Sequence, residues 1–168
     1  MNQSLLRPLS ENAAGFLATL GHSGKGIRPF APPALEQSFS VLGDELARTS
    51  RTRFSILASG HPRPVHSLVE QQICSIAAEA MRNAVGHSDA SSVEIEIEYL
   101  PHKLRVVVRD NGCGINDHSL TPDSRSGFLA MRERALQIGA ELRLWSRPGA
   151  GTELEISVPS HVSQTFLT

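Results

Sequence analysis

The chain has few aromatic side chains, 5% of 168 residues, with one Trp and one Tyr. It has two cysteines, Cys74 and Cys113, which make no metal-ligand pattern and fit a reducing cytosol as free thiols. Neither sign of charge dominates: 16 Lys plus Arg stand against 17 Asp plus Glu, a formal net charge of −1. That balance leaves no electrostatic footprint for nucleic acid or an anionic membrane surface. No apolar run approaches the roughly 18–20 residues that span a bilayer. The opening MNQSLLRPLSENAAGF lacks the basic segment and apolar run of a secretory signal, so a cytoplasmic location is expected. No internal repeat is visible. What remains suffices for one ordinary domain: 40% apolar residues to build a core and 20% charged residues to keep it soluble.

Residues 1–33 carry Pro8, Pro29, Pro32 and Pro33 with four glycines and no sustained period, which reads as a linker or poorly ordered arm with a short helix possible at 11–20. From residue 34 to 160 the pattern sharpens into a domain, leaving 161–168 as a tail that frays. Leu35, Phe39, Leu42 and Leu46 predict an amphipathic helix over Ala34–Thr49, opened by Pro33. Thr52–Ala58 reads as a strand, and Ser67–His87 as a long helix with a wide apolar face. In Ser92–Tyr99, Val93, Ile95 and Ile97 alternate with Glu94, Glu96 and Glu98; Lys103–Arg109 continues the period-two pattern. A hairpin pairing Glu98 with Lys103 and Glu96 with Arg105 puts charge against charge outside and Ile97 against Leu104 inside. A helix over Gly127–Gly139 and a hairpin of Glu141–Trp145 with Thr152–Val158 complete the reading. The fold class is α/β, a two-layer sandwich whose mixed, mainly antiparallel sheet has helices on one face and water on the other.

Four constellations can carry chemistry. Glu79, Asn83 and His87 recur every fourth residue and share one stripe of the long helix. An asparagine has poor propensity for a helix interior, and its neutral amide oxygen suits Mg2+ shared with substrate phosphates; a solvated helix edge is the plainer reading. Asp110-Asn111-Gly112-Cys113-Gly114-Ile115 follows a strand directly. Its glycines admit a flat ligand close to the backbone, and its carboxylate can accept from an exocyclic amine such as that of adenine; an Asn-Gly turn is the alternative. Asn116–Arg125 runs into Ser126-Gly127-Phe128-Leu129-Ala130-Met131, read as a loop or lid feeding a helix start at Gly127, where free N–H groups favour phosphate. Gly149-Ala150-Gly151-Thr152 is a hairpin turn that, in a nucleotide site, would place Thr152 near the base. Gly24-Lys25-Gly26 is not a phosphate loop, and the seven histidines have no metal spacing.

In this order, Glu-Ala-Met-Arg-Asn-Ala-Val-Gly-His, Asp-Asn-Gly-Cys-Gly-Ile, Gly-Phe-Leu-Ala-Met-Arg-Glu-Arg and Gly-Ala-Gly-Thr, the motifs resemble the ATP-binding catalytic domain of two-component sensor histidine kinases. The wider group includes gyrase, the large heat-shock chaperone ATPases and MutL, and the resemblance covers about residues 34–158. It implies the Bergerat fold, ATP and Mg2+ as ligands, and a γ-phosphoryl group donated to a histidine on a separate dimerisation domain. The partner implied downstream is a response regulator, commonly of helix-turn-helix type. By position, Asn83 matches the Mg2+ ligand, Glu79 the acidic residue that orients or activates the reacting group, and His87 a residue near phosphates or ribose. Asp110 matches the reader of the adenine amino group, Gly112 and Gly114 the base pocket, Gly127 and Leu129 the lid–helix junction, and Thr152 the threonine behind the adenine.

The sequence departs from that pattern in three ways. Ala130 stands where a second glycine is usual, and Phe128 where a leucine is. No histidine is followed by the acidic residue typical of a phospho-acceptor, so the acceptor is expected on another domain. A stand-alone serine kinase of the anti-sigma-factor type and a non-catalytic ATP-binding module share the same boxes and are the competing readings.

Overall fold

Five strands form one mixed sheet in the computed structural model, which describes residues 34–115 and 122–164. These residues belong to the unit Pro32–Thr168; the arm at 1–33 and the short helix at 11–20 lie outside them. The order of elements is α1 (Ala34–Thr49), β1 (Arg53–Gly60), α2 (Ser67–Gly86), β2 (Ser92–Tyr99), β3 (Lys103–Asp110), α3 (Pro122–Gln137), β4 (Glu141–Ser146), β5 (Thr152–Pro159) and α4 (Ser160–Gln164). In space the strands run β1-β2-β3-β5-β4, with β1 parallel to β2 and every other pair antiparallel. The expected two-layer α/β sandwich is therefore present.

Period-two alternation sorts each strand into two faces. Val93, Ile95 and Ile97 of β2, Leu104, Val106 and Val108 of β3, and Leu154, Ile156 and Val158 of β5 are buried on one face. Against them lie Leu35 and Phe39 of α1, Val69, Ile73, Ile76 and Met81 of α2, and Met131, Ala135 and Ile138 of α3. Each large aliphatic side chain so enclosed contributes about 1.5–3 kcal/mol of transfer free energy.

The opposite face is charged but not uniformly wet. Arg105 pairs with Glu98 at 2.7 Å and Glu155 at 2.8 Å, and Arg109 with Glu153 at 2.6 Å and Glu96 at 2.7 Å. Val107 lies between the two arginines in sequence and is fully buried on this face.

The β2–β3 register differs from the expected one by two residues: Glu98 faces Arg105, Ile97 faces Val106 and Ile95 faces Val108. The reason is Pro101. The expected pairing would put it second in the two-residue turn, where its ring is disfavoured; the observed pairing, closed by Leu100 N–H to Lys103 O at 3.0 Å, puts it first. A shift of two preserves the faces, so the core is unaffected.

Three further boundaries are corrected. Helix α3 begins at Pro122, not Gly127, because proline is favoured in a first helical turn, where its missing N–H has no partner to lose. Helix α2 ends at Gly86, and His87 is its C-cap, donating its N–H to Asn83 O. Residues 160–164 form α4 rather than fraying: Ser163 is buried, and its carbonyl accepts from His66 N–H at 2.8 Å. The end of α3 follows the sequence, with Gly139 at φ +59 and Ala140 N–H returning to Ala135 O.

Candidate functional site

Strand β3, the central strand, ends at Asp110, directly opposite Thr152 of β5. The chain then turns sharply. Asp110 Oδ1 accepts the Gly112 N–H at 2.8 Å. Gly112 lies against Ser88, just past α2, so closely that a Cβ would collide with the Ser88 carbonyl and Cβ. Cys113 N–H bonds that same carbonyl at 2.8 Å. On the other side, Gly149 N–H donates to Cys113 O at 2.7 Å. Gly114 has φ +69 and leaves no room for a side chain beside the Arg147 carbonyl; Gly151, at φ +83, leaves none beside the Asp110 carbonyl. The turn is thus clamped between the end of α2 and the β4–β5 hairpin, which explains glycine at each close approach.

Ser146 holds this junction, a role the sequence did not reveal. Its Oγ accepts from Ile115 N–H at 2.7 Å, donates to Gly151 O at 3.0 Å, and lies 3.1 Å from the Thr152 hydroxyl. Asn111 was likewise missed as a fastener: its Oδ1 accepts the N–H groups of Ser91 and Ser92 at 3.0 and 2.9 Å. Both roles depend on contacts between distant segments. The one available signal is that Ser146 directly precedes the Arg147–Gly151 turn that leads to Thr152.

A cleft of about 470 Å³ opens here, lined by Asp110, Ser146, Gly151 and Thr152 and flanked by Arg109, Trp145 and Arg147. Burial pushes the Asp110 carboxyl above its ordinary range, against the hydrogen bonds from Gly112 and Thr152 that favour the anion. A carboxylate in this state is stabilised by a further N–H donor.

Glu79, Asn83 and His87 do not line that cleft. They connect to it through backbone: Asn83 O accepts from His87 N–H at 3.0 Å and Ser88 Oγ at 3.3 Å, and Ser88 in turn holds Cys113. The Asn83 amide itself is half-buried and makes no hydrogen bond among the described residues. Glu79 pairs with Arg82 at 3.3 Å and lies against Gly127 of α3. The Arg82 Nε is buried and has no hydrogen-bond partner among the described residues. Gly127 is an interior residue of α3, so its N–H is not one of the free donors expected of a helix start. Leu129 is 57% exposed and stands apart, because Phe128 and Met131 set the helix phase by facing the core. The loop at 116–121 lies outside the described residues.

Among the described residues, no three His, Cys, Asp or Glu side chains converge. A divalent cation at Asn83 would therefore take its remaining ligands from water and from phosphate oxygens, which is how Mg2+ is usually held. The Asn83 amide, without a hydrogen bond among the described residues, fits that arrangement.

Residues 68–162 match the family model described as histidine kinase-, DNA gyrase B-, and HSP90-like ATPase. The chain is 32% identical over 96 residues to the nitrate/nitrite sensor protein NarX of Escherichia coli (strain K12), covering 57% of this chain and 16% of that protein. It is 37% identical over 91 residues to the sensor protein VraS of Staphylococcus saprophyticus, covering 54% of this chain and 26% of that one. The matches thus span roughly a sixth to a quarter of these relatives. The fold resembles the histidine kinase domain of the Erythrobacter litoralis EL346 blue-light activated histidine kinase, with TM-score 0.66 and 21% identity over 93% of this chain and 75% of that chain.

Proposed function

The chain belongs to the histidine kinase-, DNA gyrase B-, and HSP90-like ATPase family, and from that membership we propose that it binds Mg-ATP and donates the γ-phosphoryl group to a histidine on a separate dimerisation domain, in two-component signalling. The observation that carries this reading is the Asp110 carboxyl, half-buried at a strand end opposite Thr152 in an open cleft. A desolvated acceptor is costly unless it gains a donor, and the adenine amino group is one. Gly112 and Gly114, packed against Ser88 and Arg147, would shape the base pocket by fixing the turn that follows Asp110, and Thr152 would back the base.

Mg2+, when bound, would neutralise phosphate charge during phosphoryl transfer. Asn83 would hold it through its amide oxygen. His87, exposed at the end of α2, would lie near the phosphates or ribose. Glu79 would orient the reacting imidazole, and Gly127 and Leu129 would form the junction between lid and helix. Ala130 adds a methyl group where the family has glycine. The response regulator is the downstream partner, and the domain works in the cytoplasm, where ATP is available. No helix among the described residues is long and apolar enough to cross a membrane.

Calorimetric titration with ATP, with and without Mg2+, tests binding: saturable ATP binding strengthened by Mg2+ is expected, and no binding in either condition overturns the reading. Transfer is tested with γ-labelled ATP and a separate histidine-bearing dimerisation domain. An acid-labile product is expected; an acid-stable product on a partner protein would instead support the serine-kinase reading.

A further inference from the structure

Arg82 stands one residue before Asn83 on α2, and the proposed chemistry gives it no part. Consecutive helical residues point about 100° apart, so Arg82 lies off the stripe that Glu79 and Asn83 share. It reaches that stripe through one contact: its Nη2 donates to Glu79 Oε2 at 3.3 Å, one turn back along the same helix. The other Glu79 oxygen, Oε1, faces Gly127 of α3, 2.8 Å from where a Cβ on that glycine would stand. The carboxylate is thus seated from two sides, by a guanidinium on its own helix and by a residue without a side chain on the next.

That seat does little for the fold. The Arg82 and Glu79 side chains are 32% and 27% exposed, and an ion pair in contact with water contributes little stability. Arg82 Nε, in contrast, is buried and has no hydrogen-bond partner among the described residues. A desolvated donor without an acceptor is destabilising, and by more than such a pair returns. An apolar side chain of similar length would fill the same space without that cost. The arginine is therefore poorly suited to stability and well suited to holding a carboxylate: burial of Nε fixes the guanidinium, and the guanidinium fixes Glu79.

We propose that Arg82 is a positioning residue for phosphoryl transfer, which holds the Glu79 carboxylate against Gly127 so that Glu79 can orient the reacting imidazole. A glutamate side chain left free turns about several bonds, and a misplaced group loses much of its effect on a reacting atom. Arg82 acts through Glu79 and does not touch the nucleotide. This role rests on the proposed kinase reading.

The test compares Arg82→Met and Arg82→Lys in the full chain, with γ-labelled ATP and a separate histidine-bearing dimerisation domain. Arg82→Met removes the cation and the orphaned donor. Its kcat for transfer should fall about tenfold while KM and calorimetric affinity for ATP stay within about twofold. Its melting temperature should hold or rise. Arg82→Lys, which returns a cation within reach of Glu79, should recover most of the rate. In a Glu79→Gln background, Arg82→Met should slow transfer no further, because the two residues act as one unit. A readout without nucleotide accompanies these: the Arg82 Nε–Hε resonance of the 15N-labelled chain, assigned by its loss in Arg82→Lys, should exchange with water more slowly than those of exposed Arg48 and Arg51 and should move in Glu79→Gln. An unchanged rate in Arg82→Met, additive losses in the double variant, or ATP affinity that falls with the rate would overturn the role. So would a lowered melting temperature without rescue by lysine, or an Arg82 Hε that exchanges as fast as that of Arg48. The kinase reading fails separately: no transfer by the wild-type chain overturns both, whereas wild-type transfer undiminished by Arg82→Met overturns the role alone.

Discussion

Glu79 and Gly127 touch across the α2–α3 interface: a Cβ built on Gly127 would sit 2.8 Å from Glu79 Oε1. The other carboxylate oxygen is held by Arg82 at 3.3 Å. The obstacle is the far end of a flexible side chain, so it can swing away at little cost. Gly127→Ala therefore separates folding from function. Ala is the better helix former by up to about 1 kcal/mol, so the melting temperature should hold or rise. The Glu79 carboxylate, displaced from Arg82, should lose its position, and the transfer rate to a histidine domain should fall several-fold while calorimetric ATP affinity stays within twofold. An unchanged transfer rate would remove Glu79 from the proposed chemistry.

Gly151→Ala meets the opposite situation. The added carbon would collide with the Asp110 backbone carbonyl, and the residue sits at φ +83. Backbone cannot swing aside, and a left-handed conformation alone costs an L-residue about 1–2 kcal/mol. The combined cost should be several kcal/mol. A drop in melting temperature of 10 °C or more, or failure to fold, is expected; a wild-type melt would mean that the hairpin is not clamped on the turn as described.

These two glycines also mark what the sequence could and could not tell. Alternating Ile, Val and Glu in β2 and β3 set the buried face of each strand, because side-chain direction in a strand is a local property. They did not set the register, which a turn-closing Pro101 decided. Nor did they reveal that β1 runs parallel to β2, since a parallel partner is reached only through a long crossover. The Asp110–Gly114 turn was legible as a unit because it is contiguous. Ser88, Asn111 and Ser146, which hold it in place, act on it across 19 to 31 positions of sequence, and only the place of Ser146 just before the Arg147–Gly151 turn hints at one of them. The start of α3 was hidden by residues that favour turns and first helical turns alike.

Asp110→Asn keeps the shape and the acceptor oxygen facing Gly112 but removes the charge. Loss of a hydrogen bond to a charged group should weaken ATP binding by about 1.5–3 kcal/mol, roughly 10- to 150-fold. The ligand-free protein should respond the other way. Burial raises the Asp110 carboxyl, so ionising it at neutral pH costs stability that an amide does not incur. Higher stability without ATP and lower affinity for ATP, in one variant, is the expected pair of results. Unchanged affinity would remove the adenine assignment.

Asn83→Ala should leave the fold intact. The amide makes no hydrogen bond among the described residues, and Ala is preferred inside a helix. The melt should be unchanged or slightly raised, whereas the gain in ATP affinity on adding Mg2+ should largely disappear. A wild-type Mg2+ titration would show that the cation is held elsewhere.

Glu70 gives the pH dependence a sign. Burial raises its carboxyl above the ordinary 4.5, so the folded chain binds its proton more tightly than the unfolded chain. Stability from this group is therefore fully present below about 4.5 and is lost as pH rises through the raised folded value. Among the described residues, Cys74 and Tyr99 feel its charge, and Arg63 lines a cavity together with it. The Cys74 thiol is pushed up to about 12, first by burial and then by Glu70, and the Tyr99 phenol is raised for the same reasons together with Glu36; neither ionises in this window. Glu70→Gln keeps the volume and removes the ionisation. Its melting temperature should match wild type at pH 4 and exceed it at pH 7 to 8, with the difference opening between. A difference that does not vary with pH would mean that Glu70 binds its proton equally in the folded and unfolded chain, so that burial does not disfavour its anion.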